Sequence, residues 1–241
     1  MGRNSSGNRG GDTKPRSLIQ NGSLQDHQQV IGLIKKATGT DYSQVEEVSM
    51  ATVNPDLYGD IMGTWNQTKA LMGDPKCDLF VGDTDDALAV TVYDPNAGRS
   101  MIILDKKTFN GSRADLQKIR NEQTKSGWKQ SDYLMATVVH EMGHAYVNKV
   151  GYEHGDNART ALLKQLDKER TQWGRADSRV KKSYAYNGDN SPKKGNEYNS
   201  EMLTRNFHFT DRLNSPTRYS VRELNILNDF LDNGKKTKRR Y

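Results

Sequence analysis

Cysteine and long apolar runs are both scarce in this chain of 241 residues. A single cysteine, Cys77, excludes an intrachain disulfide framework. It is consistent with a reducing compartment or with a fold that is stable without disulfide bonds. We expect Cys77 to be a buried or half-buried residue and not a nucleophile. No run of about 18 or more apolar residues occurs, so no transmembrane helix is predicted.

The N-terminus lacks an apolar segment behind its first basic residues, which argues against a cleavable secretory signal. The protein is therefore expected to act in the cytoplasm, or to be delivered as an effector without such a signal. Residues 1–6 fit the short N-myristoylation pattern, which has meaning only inside a eukaryotic cell.

Composition predicts one domain between two polar ends. Hydrophobic residues make up 33% of the chain, a low share, so part of it is expected to be disordered. Residues 1–22 are rich in Gly, Ser, Asn and Arg and are interpreted as a disordered leader. The domain covers 23–232, and a basic flexible tail covers 233–241. The net charge of +6 is concentrated in this tail, which could serve nuclear import or contact nucleic acid.

The pattern of apolar residues predicts an α+β fold. Helical periodicity is found at 24–37, 57–72, 112–124, 132–150, 156–173, 196–207 and 220–232. Three short apolar runs predict strands at 79–81, 87–93 and 101–104. The turn-forming residues 94–98 join the last two runs closely enough for an antiparallel hairpin. We therefore expect a small antiparallel sheet from residues 79–104 beside the helix 132–150.

One motif in this chain carries specific chemistry: His140, Glu141 and His144 form the pattern H-E-x-x-H. On a helix, residues four apart share one face, so the two imidazoles converge on a point that can hold zinc. Glu141 can then accept a proton from a water on that ion. The chain has only five histidines, so two at this spacing around a glutamate favour metal binding over coincidence.

A catalytic zinc site needs three protein ligands, and the motif supplies two. Glu197 and Glu201 are also four apart on a predicted helix, and either could be the third ligand. We favour Glu197, which comes first, with Glu201 hydrogen-bonded to a ligand histidine. The alternative is that both glutamates are solvated beside basic neighbours. A metzincin site is not indicated, because Val147 stands where that pattern requires glycine.

These motifs resemble those of gluzincin metallopeptidases, most closely the catalytic domain of anthrax lethal factor and related bacterial Pro-Pro endopeptidases and effector proteases. The likeness rests on residues 139–145, Gly151 with Tyr152, and the helix that contains Glu197, Glu201 and Phe207, within roughly 130–232. It implies a zincin-like fold with one zinc ion, Glu141 as general base and Glu197 as third ligand. It also implies that an edge strand, which we place at 98–104, holds extended substrate by main-chain hydrogen bonds.

The resemblance further implies a tyrosine that stabilises the tetrahedral oxyanion. Tyr186 and Tyr184 precede Glu197, although the gap from Tyr186 is longer than the family's. Effector proteases of plant and gut pathogens resemble this chain more loosely, and their late Arg-x-x-Tyr-like segment suggests Tyr219 as the alternative.

The expected function is zinc-dependent endopeptidase activity on protein or peptide substrates, with a toxin or effector as one setting. The alternative is a zincin-fold regulator of phage or mobile-element type, repressor-cleaving or antirestriction, which acts mainly by binding around DNA. The basic tail permits this second role.

Overall fold

The computed structural model describes residues 45–84, 87–94, 98–126 and 133–176, together with Gly32. In these ranges the strands are β1 (Glu46–Glu47), β2 (Cys77–Gly82), β3 (Ala89–Asp94) and β4 (Arg99–Asp105). The helices are α1 (Pro55–Leu71), α2 (Lys106–Asn110), α3 (Arg113–Lys125), α4 (Ala136–His154) and α5 (Asp156–Ala176). The α+β class predicted from the sequence is confirmed, and the short elements β1 and α2 were not predicted.

The four strands form one mixed sheet in the order β1-β2-β4-β3. The β3–β4 hairpin is antiparallel, as predicted, with Thr91 opposite Ile102. β2, however, pairs with β4 in parallel, with Leu79 opposite Ile102. The prediction of a purely antiparallel sheet was therefore wrong.

The position of residues 98–104 was also predicted wrongly. Residues 99–104 belong to β4, which lies between β2 and β3, so they do not form the edge. The reason is their burial, because residues 100–104 are all buried and a strand with both faces covered belongs in the interior of a sheet. Among the described strands, β3 is the edge strand on the side of the hairpin.

The sheet carries buried apolar side chains on both faces. Residues that alternate along the strands face the helices and join the main core: Cys77, Leu79, Val81, Ile102 and Leu104. The alternate positions build a second cluster on the opposite face: Val45, Phe80, Val92, Met101 and Ile103. Helix α4 packs on β3 and β4 and against α1 and α5, so it lies at the centre of the described structure.

Helix boundaries follow local chemistry with one exception. α1 begins after Asn54, whose side chain accepts from the Asp56 amide, and α3 begins with a capping box between Ser112 and Asp115. α4 begins at Ala136 without a side-chain cap, later than the predicted 132, and ends at His154. The predicted end at residue 150 was therefore too early, and Gly151 does not stop the helix.

Two glycines explain this difference at the end of α4. Gly155 has a φ of 87°, a conformation that glycine adopts at no steric cost, and it terminates the helix. Gly151 stays helical, and a Cβ there would lie 2.9 Å from Cδ of Arg159. The absence of a side chain at Gly151 therefore allows α5 to approach α4.

The proposed leader, the basic tail and the predicted helices at 24–37, 196–207 and 220–232 lie outside the described residues, apart from Gly32, which is helical. In the part of the chain that the structure describes, no helix combines the length and the apolar character needed to cross a bilayer.

Cys77 is expected to resist alkylation in the folded protein. It is only 4% exposed, and its Sγ lies 3.6 Å from Sδ of Met142 and 3.3 Å from the Pro75 carbonyl oxygen. Burial raises the pKa of the Cys77 thiol to about 12, so the reactive thiolate is scarce near neutral pH. Iodoacetamide labelling at about pH 8, followed by intact mass, should therefore be slow until denaturant is added. Rapid labelling without denaturant would contradict the buried position.

Candidate metal centre

Helix α4 brings the three motif residues together in the interior of the protein. His140, Glu141 and His144 are 7%, 6% and 9% exposed, and residues of these types are seldom buried to this extent. Nearly every other residue from Ala136 to Val150 is buried as well. A helix buried on most of its circumference holds these side chains in place more firmly than a loop does.

The geometry of the group suits a metal ion. The candidate ligand atoms of His140, Glu141 and His144 all lie within 4.8 Å of one another. The two imidazole rings are 5.0 Å apart between centroids and are inclined by 79°. Two imidazoles and a carboxylate are donors that a divalent transition ion such as zinc accepts. This group could therefore hold a metal ion.

The Glu141 carboxylate, which lies within 4.8 Å of the ligand atoms of both histidines, also contacts the sheet. The Thr91 hydroxyl on β3 donates a 2.6 Å hydrogen bond to Oε2 of Glu141. The same hydroxyl oxygen lies 3.2 Å from the Glu141 carbonyl oxygen. Consecutive helix residues point about 100° apart, so the side chains of His140 and Glu141 leave α4 in different directions. The carboxylate therefore lies between the histidine pair and the edge strand.

The other predicted site residues and one further histidine, His154, for which no site role is predicted, have separate outcomes. Glu197, Glu201, Tyr184, Tyr186 and Tyr219 lie outside the described residues, so their predicted roles stay predictions. His154 is the last residue of α4, about 15 Å along the helix axis from His144, and its Nε2 lies 3.9 Å from a Glu153 carboxylate oxygen. The distance of about 15 Å between His144 and His154 along the helix axis places His154 too far away to be a ligand of the same ion.

Sequence reasoning did not identify Thr91. A threonine in a half-buried strand is ordinary, and nothing in the alternation of residues 89–94 distinguishes it. Its role depends on the packing of β3 against α4, fifty residues later in the chain.

Comparisons of the chain with protein-family models, with curated proteins and with solved structures found no match. The interpretation of the site therefore depends on α4 and the strand beside it. Within that region, the strongest observation is the buried histidine pair with a carboxylate within ligand distance.

Proposed function

We propose that this chain is a zinc-dependent endopeptidase that hydrolyses peptide bonds of protein substrates. The observation that carries the proposal is the arrangement of His140, Glu141 and His144 on one buried helix, with ligand atoms within 4.8 Å. Glu197 is proposed as the third ligand, with Glu201 as the alternative. The setting in which such proteolysis acts, including that of an effector, stays a prediction.

The proposed peptide hydrolysis assigns a separate role to each of a few residues. Zinc, when bound by His140 and His144, supplies a Lewis acid that lowers the pKa of a water and polarises the scissile carbonyl. Glu141 accepts the proton of the attacking water and later donates it to the leaving amine. A phenol, that of Tyr186 or of Tyr219, is proposed to donate a hydrogen bond to the oxyanion.

The edge strand β3 offers a means of holding an extended peptide. The Leu88 carbonyl oxygen accepts from the Asp105 amide at 3.0 Å, so these two residues form a hydrogen-bonded pair of the antiparallel ladder. Such pairs alternate along the ladder, so the even-numbered residues of β3 bond to β4 and the odd-numbered ones do not. The N–H and C=O groups of Ala89, Thr91 and Tyr93 therefore point away from β4. No further strand pairs with β3 among the described residues. A substrate strand can add there, beside the metal centre.

Metal analysis of the purified full chain tests the proposal first. We expect about one zinc per chain for the wild type and a near-complete loss for His140→Ala and His144→Ala, because a two-ligand remnant binds weakly. His154→Ala is the matched control, since it removes an imidazole from the exposed end of the same helix. Zinc retention in all variants would place the ion elsewhere.

A peptide-library digest tests the hydrolytic step. We expect cleavage by the zinc-loaded wild type, its loss on treatment with 1,10-phenanthroline, and its recovery when zinc is restored. Stoichiometric zinc without cleavage of any peptide or protein substrate would contradict the peptidase assignment and leave a metal-binding domain.

A further inference from the structure

A hydroxyl on the edge strand contacts the proposed general base directly. Thr91 Oγ1 lies 2.6 Å from Oε2 of Glu141, a short distance typical of a hydroxyl donor on an ionised carboxylate. Within the described residues, no other side chain is seen to hydrogen-bond the Glu141 carboxylate. This contact therefore restrains the carboxylate through Oε2, and Oε1 takes no part in it.

The main chain of the same residue faces the edge at which we place the substrate. Side chains of β3 alternate, so the Thr91 side chain points to α4 while Val90 and Val92 point to the opposite face. The Thr91 N–H and C=O point outward along the edge of the sheet, since Thr91 opposes Ile102 in a non-hydrogen-bonded pair. One residue thus borders both the proposed substrate strand and the proposed base.

We propose that Thr91 is a positioning residue that holds Glu141 toward the attacking water and links its orientation to occupancy of the β3 edge. This inference rests on the proposed peptidase function. A peptide that adds to β3 fixes the strand, and the fixed strand then fixes the hydroxyl that holds the carboxylate. Binding of substrate and alignment of the base are in this way coupled through the Cα–Cβ and Cβ–Oγ1 bonds of Thr91.

The expected consequence falls on turnover more than on substrate binding. Thr91→Val keeps the β-branched shape and the main-chain groups of the edge but removes the hydroxyl. A misplaced catalytic group costs on the order of 10²-fold in rate, and partial disorder of the carboxylate costs less. We expect kcat to fall about 10- to 100-fold with KM changed less than about 3-fold.

Two further variants separate positioning from packing. Thr91→Ser restores the hydroxyl with one methyl group fewer and should recover most of the lost kcat. Thr68→Val is the control for loss of a threonine hydroxyl, because the Thr68 hydroxyl lies within α1, where it donates to the Thr64 carbonyl at 2.7 Å. We expect it to leave kcat unchanged.

A binding measurement on the Co²⁺-substituted protein tests the same claim without turnover. Acetohydroxamate chelates a metal through two oxygens and donates a proton to a neighbouring carboxylate, whereas azide binds the metal without such a proton. Followed by the visible absorption of Co²⁺, acetohydroxamate affinity should fall at least about 5-fold in Thr91→Val and recover in Thr91→Ser, with azide affinity constant.

The outcomes distinguish this inference from the function on which it rests. Thr91→Val with wild-type kcat and wild-type acetohydroxamate affinity overturns the positioning role, and so does an equal defect in the valine and serine variants. Failure of the wild type to bind Co²⁺ or zinc overturns the metallopeptidase itself. If the wild type binds Co²⁺ but cleaves none of the peptides offered, the acetohydroxamate series alone decides the role of Thr91.

Discussion

Replacement of Glu141 by glutamine is expected to lower kcat for peptide cleavage by about 10²- to 10⁴-fold while zinc stays bound. Glutamine has the size of glutamate, and its amide oxygen can still accept the Thr91 hydrogen bond seen at 2.6 Å. It cannot take the proton of the attacking water. The packing around this buried position, only 6% exposed, should therefore persist while proton transfer is lost.

The measurement pairs zinc content with steady-state kinetics. The Glu141 carboxylate also lies within ligand distance of both histidines, so loss of zinc in Glu141→Gln would identify it as a ligand and contradict its role as base. Glu141→Asp provides the graded control, because it keeps a carboxylate and withdraws it by one methylene. A Glu141→Gln protein that retains its biological effect would favour the regulator that acts by binding.

Glu197→Gln is expected to weaken zinc binding by more than about 100-fold, and Glu201→Gln by about 10- to 100-fold. A glutamate ligand supplies one of three protein bonds and a negative charge, neither of which an amide replaces. A carboxylate that only orients a ligand histidine contributes less, through the hydrogen bond at the other ring nitrogen. The order of the two effects therefore assigns the two roles.

Competition with a fluorescent zinc chelator measures both variants on one scale. The reverse order would make Glu201 the ligand, which the sequence leaves open because both residues share one predicted helix face. Equal and negligible effects would show that neither glutamate binds the metal. His208→Ala is a suitable control, since it removes a histidine from the same part of the chain for which no ligand role is predicted, and its zinc affinity should match that of the wild type.

The site helix was predictable because its information is local. Spacing of four between His140 and His144 follows from the helical repeat, and apolar positions around them mark a buried element. The start of the helix was predicted less well, because α4 begins at Ala136 without the polar cap that sequence reasoning looks for. Its end depended on which of two glycines adopts a positive φ.

The presence of the strands could also be predicted from local sequence, whereas their order in the sheet could not. Each of the three apolar runs formed a strand, but β4 took an interior place beside β2 through pairings of residues more than twenty positions apart. The consecutive apolar residues 101–104 were a signal of burial on both faces that was not used. Thr91 had no comparable signal, because its contact with Glu141 exists only after the sheet packs on α4.

The insertion of β4 between its two neighbours constrains the order of assembly. β3 and β4 are separated by residues 95–98 alone, so closing their hairpin costs little chain entropy, while joining β2 to β4 encloses the whole hairpin. The hairpin is thus expected to dock on β2 as a unit. Nascent chains that end before Arg99 lack β4, the strand that pairs with both β2 and β3, and β4 is also one of the two strands on which α4 packs.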